Sequence, residues 1–424
     1  MKQDVICLYE DAMTSRLRPM ALGRPAYAIF CGGNRLWELV AELRLPLYGM
    51  VRDHLRDIQT LDYTDIQPVE QLETTGHVLL VNARLLPSCE VRETILGVLR
   101  DDAEQVLTVD GQIAMAKMRG TDLNLRRYDS NDAFQQLSQL PAFATLPRRA
   151  VQLPLLNHAH EVVAHHESML AGNLAYRIEQ GGYREIANGV FAAEQVAGCE
   201  GAAFDTSKGP VVLEAEVTLG PFSYLVGPVY VGRGTRVTER STLKNGVAVG
   251  ARCKIGGEVA ASMMESYSNK QHDGFLGHSY IGSWVNLGAG TSNSDLKNTY
   301  GEIRVEYPYG RVATGLQFFG CCVGDYTKSA IQTGIFTGKL IGTCSMLYGM
   351  VTSNVPSFVN YAKTLGHVSE MSPDVVVAMQ QRMWARRHRQ QRSCDVQLLR
   401  DMHELTRDER ATFDADLTVE PPRF

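Results

Sequence analysis

The sequence predicts an α/β region, then a coil of hexapeptide β-strands, then a helical C-terminal segment. Three observations carry this. The first 155 residues alternate short apolar runs with amphipathic stretches. From Leu213 an aliphatic residue returns at every sixth position, and beyond Pro373 helix-forming residues dominate. The expected boundaries are 1–155 for the α/β domain, 156–205 for a helical connector, 206–358 for the repeat domain and 359–424 for a helical cap or arm.

In the first region the runs VICLY (5–9), AYAIF (26–30) and HVLLVN (77–82) have the length and β-branched content of buried strands, separated by amphipathic segments. Residues 158–190 carry apolar side chains at helical spacing, with Glu161 four before His165, and predict a connecting helix. The repeat then reads LEAEVT LGPFSY LVGPVY VGRGTR VTERST LKNGVA VGARCK IGGEVA, with Leu, Val or Ile at all eight leading positions from 213 to 255. If one residue in about four were one of these three, eight hits in one frame would have a chance on the order of 10⁻⁵, so the period is real. Six fits neither an α-helix nor a flat strand; it is the period of hexapeptide β-helices, three short strands to a triangular coil. Val217, Ser223, Val229, Thr235, Ser241, Val247 and Cys253, four places after each aliphatic, are small or β-branched, as a narrow interior requires. Gly220, Gly232, Gly250 and Gly256 follow the aliphatic where a corner leaves little room. The period lapses near 260 and again at 291–320, returning at Val323, Ile335, Ile341 and Leu347. Lapses in a repeat array mark loops, and loops carry function. After Pro373, Met379, Met383, Leu398, Met402 and Leu405 recur near helical spacing, suited to covering the open end of a coil.

With 424 residues the chain has room for two or three domains, and a net charge of −5 gives no global reason to expect nucleic acid or an anionic membrane. Nine cysteines, odd in number and without a CxxC pair, suggest neither a disulfide framework nor a zinc site. The N-terminus has only a short apolar run broken by Glu10 and Asp11, so it fits no secretory signal, and a cytoplasmic location is expected. In HAHEVVAHH the histidines of H-E-x-x-x-H are five apart and diverge around a helix, so no metal is expected there. The basic run Arg382, Arg386, Arg387, Arg389 and Arg392 has one aromatic, Trp384, and reads as a solvated helix face or subunit contact more readily than as an RNA site.

The segment HDGFLGHSYIGSWVNLGAGTSNSD (272–295) resembles the acetyltransferase domain of the bifunctional N-acetylglucosamine-1-phosphate uridylyltransferase and glucosamine-1-phosphate acetyltransferase family. There a histidine three residues before aromatic-Leu-Gly is followed by an aliphatic-Gly pair and V-N-[IL]-G-A-G-T. The resemblance implies a left-handed parallel β-helix that trimerises and binds acetyl-CoA between neighbouring subunits, with Ala289 and Thr291 at the cofactor and Phe275 at the substrate. Chemistry points the same way at His272: acyl transfer requires a proton to leave the attacking group, and imidazole suits this near neutral pH. Asn286 would hold an acceptor hydroxyl or orient the imidazole, and Lys297, Arg304 or Arg311 would pair with a sugar phosphate. Two departures bear on the acceptor. Ala260 stands where the family has a phosphate-binding lysine, and Phe275 replaces a tyrosine.

TSRLRPMALGRP (14–25) resembles the sugar nucleotidyltransferase signature, with Arg16 and Arg24 in place to contact a nucleotide. YEDAMTS, however, occupies the place of the glycines that would cradle a triphosphate, and Asn82-Ala83 replace the Gly-Asp that holds Mg²⁺. The whole chain resembles a divergent family of sugar nucleotidyltransferases with hexapeptide repeats. The implied architecture is an α/β nucleotidyltransferase-like N-terminal domain, a left-handed β-helix and a C-terminal helical segment. The implied function is acetyl-CoA-dependent acyl transfer to an amino-sugar phosphate, coupled to a uridylyltransferase-like domain using UTP with Mg²⁺, in UDP-N-acetylglucosamine biosynthesis. Two alternatives stay open: a nucleotidyltransferase whose coil is a trimerisation scaffold, and a non-catalytic trimer that binds a sugar nucleotide.

Overall fold

A computed structural model describes residues 4–73, 76–123 and 141–411. The chain forms two compact units: Met1–Ile29, Asn34–His158 and Ser393–Leu398 in the first, Phe30–Gly33, Ala159–Arg392 and Leu399–Phe424 in the second.

Among the described residues the first unit is built on seven strands: β1 (Val5–Tyr9), β2 (Leu47–Met50), β3 (Gln67–Pro68), β4 (His77–Asn82), β5 (Gln105–Val109), β6 (Gln112–Arg119) and β7 (Arg148–Ala150), in the sheet order β3-β2-β1-β4-β6-β5-β7. β1 runs parallel to β2 and β4, and β6 is antiparallel to β4 and β5. Both faces of the central strands are covered: Val5, Cys7, Val78 and Leu80 lie in one core cluster, while Ile6, Leu8, Leu79 and Val81 are buried on the other side. This is why VICLY and HVLLVN read as continuous apolar runs without alternation. The helix Cys89–Arg100 is capped by Ser88, whose Oγ accepts from Val91 N at 3.2 Å, and buries Val91, Ile95 and Val98. At its other end the buried Lys117 donates to the carbonyls of Val98, Leu99 and Asp101, a cation at the negative end of a helix.

AYAIF is not a strand. Ala26–Ala28 form a 3₁₀ turn after Pro25, and Ala26 N donates to Glu10 Oε1 at 2.8 Å, so the segment is buried by satisfying its backbone locally, not in the sheet.

In the second unit, Val211, Val229 and Val247 pair in parallel register, as do Thr218, Arg236 and Lys254. Tyr224 pairs with Thr242 in a third set. Each partner lies eighteen residues further on, so three six-residue segments complete one coil. The aliphatics at 213, 219, 225, 231, 237, 243, 249 and 255 form one buried interior with Val217, Val229, Val247 and Cys253. Ser223, Thr235 and Ser241 are buried too, their hydroxyls donating to the carbonyls of Gly220, Gly250 and Thr238. The glycines are required by the stacking of coils: a Cβ on Gly232 would lie 2.6 Å from Gly250 C, and one on Gly250 2.6 Å from Ser266 N.

The coil begins earlier than the expected connector allows, because Val190–Ala192 already pair with Val211–Leu213 after the helix Glu161–Glu179. It also ends later: Val359–Ala362 pair with the coil strand Met346–Leu347 and, in antiparallel sense, with His367–Glu370 before the helix Pro373–Ala385 begins. Among the described residues no helix is long and apolar enough to cross a membrane.

Candidate functional site

The coil departs from its period at the stretch singled out by the sequence. Ile255 pairs with Lys270, so a lysine takes an inward position. Its Nζ donates to Gly256 O and His272 O, both at 2.9 Å, and burial lowers its pKa to about 8. Lys270 thus fixes the backbone of the corner that carries His272, whose side chain is exposed. Asn269 bridges to Asn286 on the next coil, and Gly290 N donates to Asp273 O at 3.2 Å. These bonds set the His272 corner, through Asp273, against Gly290, and Phe275 beside Ser292, whose Oγ accepts from Phe275 N at 3.0 Å. Gly274, at φ +115°, has no room for a Cβ against Thr291 O, which makes glycine obligatory in the corner.

Not every expected site residue joins this corner. Asn286 lies opposite Asn269, and its Oδ1 accepts from Asn269 Nδ2 while Asn269 Oδ1 accepts from Arg387. Thr291 is buried, its hydroxyl 2.7 Å from Ser329 Oγ inside the coil. Lys297, Arg304 and Arg311 lie on the insertion whose hairpin pairs Arg304–Tyr307 with Gly310–Ala313. Lys297 Nζ donates to Glu302 O at 2.7 Å, Arg311 pairs with Glu306 at 3.0 Å, and Arg304 is exposed.

Three residues escaped the sequence reading: Lys270, His278 and Asp295. His278 Nδ1 lies 2.8 Å from Asp295 Oδ2, with the side chains 22% and 15% exposed. The imidazole stacks on Phe318 at 5.1 Å between centroids. His278 and Asp295 are seventeen residues apart, the same step that carries Asn269 to Asn286 and Phe275 to Ser292. That spacing was the available signal, obscured because the regular coil step is eighteen.

In the first unit, Glu10 and Asp11 follow β1 and Asn82 ends β4, at the carboxyl ends of parallel strands where open α/β sheets bind ligands. Their carboxylates are already committed. Both oxygens of Asp11 accept from Arg84 at 2.8 Å, and Asp11 Oδ2 also accepts from Asn82 Nδ2 at 2.9 Å. Glu10 accepts from Arg52 at 3.0 and 3.1 Å and from Ala26 N. This donor set does not fit a hard divalent cation, which needs carboxylate oxygens free of such partners. Arg16 is half-buried in the 3₁₀ turn Ala12–Leu17, and Arg24 is buried. The histidines of HAHEVVAHH are separately engaged: His160 Nδ1 meets Tyr307 Oη at 2.8 Å, and His166 Nδ1 accepts from Gly32 N at 2.9 Å. Burial pushes His166 down to about 4 and holds it neutral.

Residues 6–179 match the profile of a family described as sugar nucleotidyl transferase. That stretch of the chain is similar to domains of this class. Two curated relatives are transferases by name. The chain is 30% identical over 143 residues, 33% of its length, to the bifunctional sugar-1-phosphate nucleotidylyltransferase/acetyltransferase of Sulfurisphaera tokodaii, of which it covers 36%. It is 26% identical over 157 residues, 36% of its length, to the uncharacterized acetyltransferase YaiX of Escherichia coli, of which it covers 68%. Among solved structures, the acetyltransferase domain of PglB from Neisseria gonorrhoeae in complex with acetyl coenzyme A aligns over 88% of this chain and 100% of that one, at 9% identity and a TM-score of 0.18. A likeness at that level defines neither fold nor chemistry.

Proposed function

We propose that the coil catalyses transfer of an acetyl group from acetyl-CoA to the amine of an amino-sugar phosphate, and that the first unit binds a sugar nucleotide. The observation that carries this is the bond from Gly290 N to Asp273 O, which sets the His272 corner against VNLGAGT and joins the two halves of the acetyltransferase-like motif on adjacent coils. The acceptor nitrogen attacks the thioester carbon, the C–S bond breaks, and His272 takes the proton released as the new C–N bond forms. Ala289 and its neighbouring amides would border the thioester, Phe275 would border the sugar, and Lys297, Arg304 and Arg311 would receive the phosphate. The resemblance adds a left-handed winding and a trimer with the co-substrate between subunits, of which the trimer is testable by light scattering. In the first unit Arg16 and Arg24 would meet the nucleotide phosphates. The closed Asp11–Arg84 and Glu10–Arg52 pairs favour binding there over metal-assisted transfer.

The test is thiol release from acetyl-CoA with glucosamine-1-phosphate. Wild type is expected to turn over, and His272→Ala to lose at least about 100-fold with its fold intact by circular dichroism. Equal rates would refute His272 as the base. No release, together with pyrophosphate from UTP and a sugar-1-phosphate, would move the chemistry to the first unit.

A further inference from the structure

An amine acceptor reaches the enzyme near neutral pH as an ammonium ion, which has no lone pair for attack. Acylation therefore removes two protons from nitrogen, one before attack and one during it, whereas a hydroxyl acceptor loses one. His272 accounts for the second. We propose that His278 and Asp295 recognise the ammonium and take the first, an inference that rests on the acyl-transfer reading above.

The pair has the parts this requires. Asp295 Oδ2 holds His278 Nδ1 at 2.8 Å, which favours the tautomer with the proton on Nδ1 and leaves a lone pair on Nε2. Among the described residues, neither Nε2 nor Asp295 Oδ1 has a hydrogen-bond partner, and both side chains keep part of their surface exposed. The ring cannot swing freely. Phe318 stacks on it, His278 N donates to Ala260 O at 3.1 Å, and Gly320 N donates to His278 O at 2.8 Å. His278 is held at φ +44°, a conformation that non-glycine residues seldom adopt and that the surrounding bonds impose. Gly277 has no space for a Cβ because Asp295 Oδ2 and the Phe275 ring lie over it, so the pair adjoins the aromatic expected at the acceptor. Asn293 secures the floor, accepting from Gly277 N at 2.8 Å and donating to Gly277 O at 2.9 Å.

The steps balance. R–NH₃⁺ gives one proton to His278 Nε2, and the imidazolium so formed is stabilised by the adjacent carboxylate. The freed amine forms the C–N bond, CoA leaves as thiolate, and the second proton passes to His272. Regeneration of both imidazoles returns one proton to the thiolate and one to solvent. A carboxylate near the acceptor nitrogen also selects charge: an ammonium is attracted where a hydroxyl is not.

Two measurements test this. In the first, calorimetry without acetyl-CoA compares glucosamine-1-phosphate with glucose-1-phosphate. Wild type is expected to prefer the amino sugar at least tenfold, and Asp295→Asn to lose that preference while its affinity for glucose-1-phosphate stays within twofold. In the second, transfer is followed against pH in His278→Asn, a substitution suited to positive φ. Its kcat/KM is expected to fall at least 100-fold at neutral pH and to recover above the pKa of the acceptor amine, whereas His272→Ala does not recover. A wild type without preference, an Asp295→Asn variant that keeps it, or a His278→Asn loss equal at all pH values would each overturn the proposal. If wild type shows no transfer at all, the acyl-transfer reading fails, and the calorimetric preference still decides what the pair recognises.

Discussion

At the end of β1, Glu10 and Asp11 are each closed by an arginine, whereas on the coil His272 and the outer atoms of the His278–Asp295 pair have no side-chain partner among the described residues. Arg84 makes the contrast sharpest. Fully buried, it serves Asp11, Gln112, Asn157 and the carbonyl of Leu156, so its charge is consumed in holding a loop. The coil satisfies its backbone through the ladders between turns and leaves side chains at its corners available. A region that satisfies its polar groups internally is built for shape, and one that leaves them exposed on a rigid frame is built for chemistry.

The largest expected effect comes from breaking the closed network. Arg84→Met strands Asp11 and three other acceptors, and should destabilise the first unit by about 3–5 kcal/mol in urea denaturation. A loss below about 1 kcal/mol would show that the network is not structural. Next is the open face: Gly277→Ala pushes a methyl against Asp295 and Phe275, and should lower acetyl transfer by roughly tenfold or more, measured at a temperature where circular dichroism shows the variant folded. An unchanged rate would put the acceptor elsewhere.

A smaller effect is a matter of pH. Burial lowers Lys270 and Lys328 to about 8, so between pH 8 and 10 the native coil binds fewer protons than the unfolded chain. Stability should therefore rise through that window, the penalty of burying the charges being fully present below it. Lys270→Met should flatten part of the rise in denaturation curves taken at pH 7.5 and 9.5, and an identical slope would contradict the assignment. The smallest effect lies on the surface, where Lys244 and Glu258 pair at 2.7 Å in the open. Replacing Lys244 by Met should change stability by no more than about 0.5 kcal/mol, measured the same way.

How much was legible follows from what each signal reports. The period of six reads one thing, the inward direction, and the eight aliphatics from 213 to 255 are buried together because nothing else competes for those positions. VICLY and HVLLVN were readable as strands for the same reason, while AYAIF failed because apolar composition reports burial, and burial is reached there by a turn bonded to Glu10. His272 was legible as a motif member. Lys270 was not, since a lysine in the interior contradicts every compositional rule and is sustained by two carbonyls that only the fold brings near. Asn286 carried the motif yet lies opposite Asn269, because neighbours in sequence need not share a corner of a coil. The pairing of His278 with Asp295 needed the local step of seventeen, which becomes visible only once the ladders are known.

The insertion between Leu296 and Phe318, which bridge each other at its base, leaves the coil and returns without disturbing it: Cys322 still pairs in parallel with Tyr280 and Val323 with Ile281. The frame is therefore indifferent to what this loop contains. Its length and its basic residues can drift or be exchanged while the His278–Asp295 pair stays assembled, so on the proposed reading the grip on the acceptor's phosphate is separable from the proton transfers. Grafting the loop of one such coil onto another is thus a route to new acceptors that leaves the frame untouched.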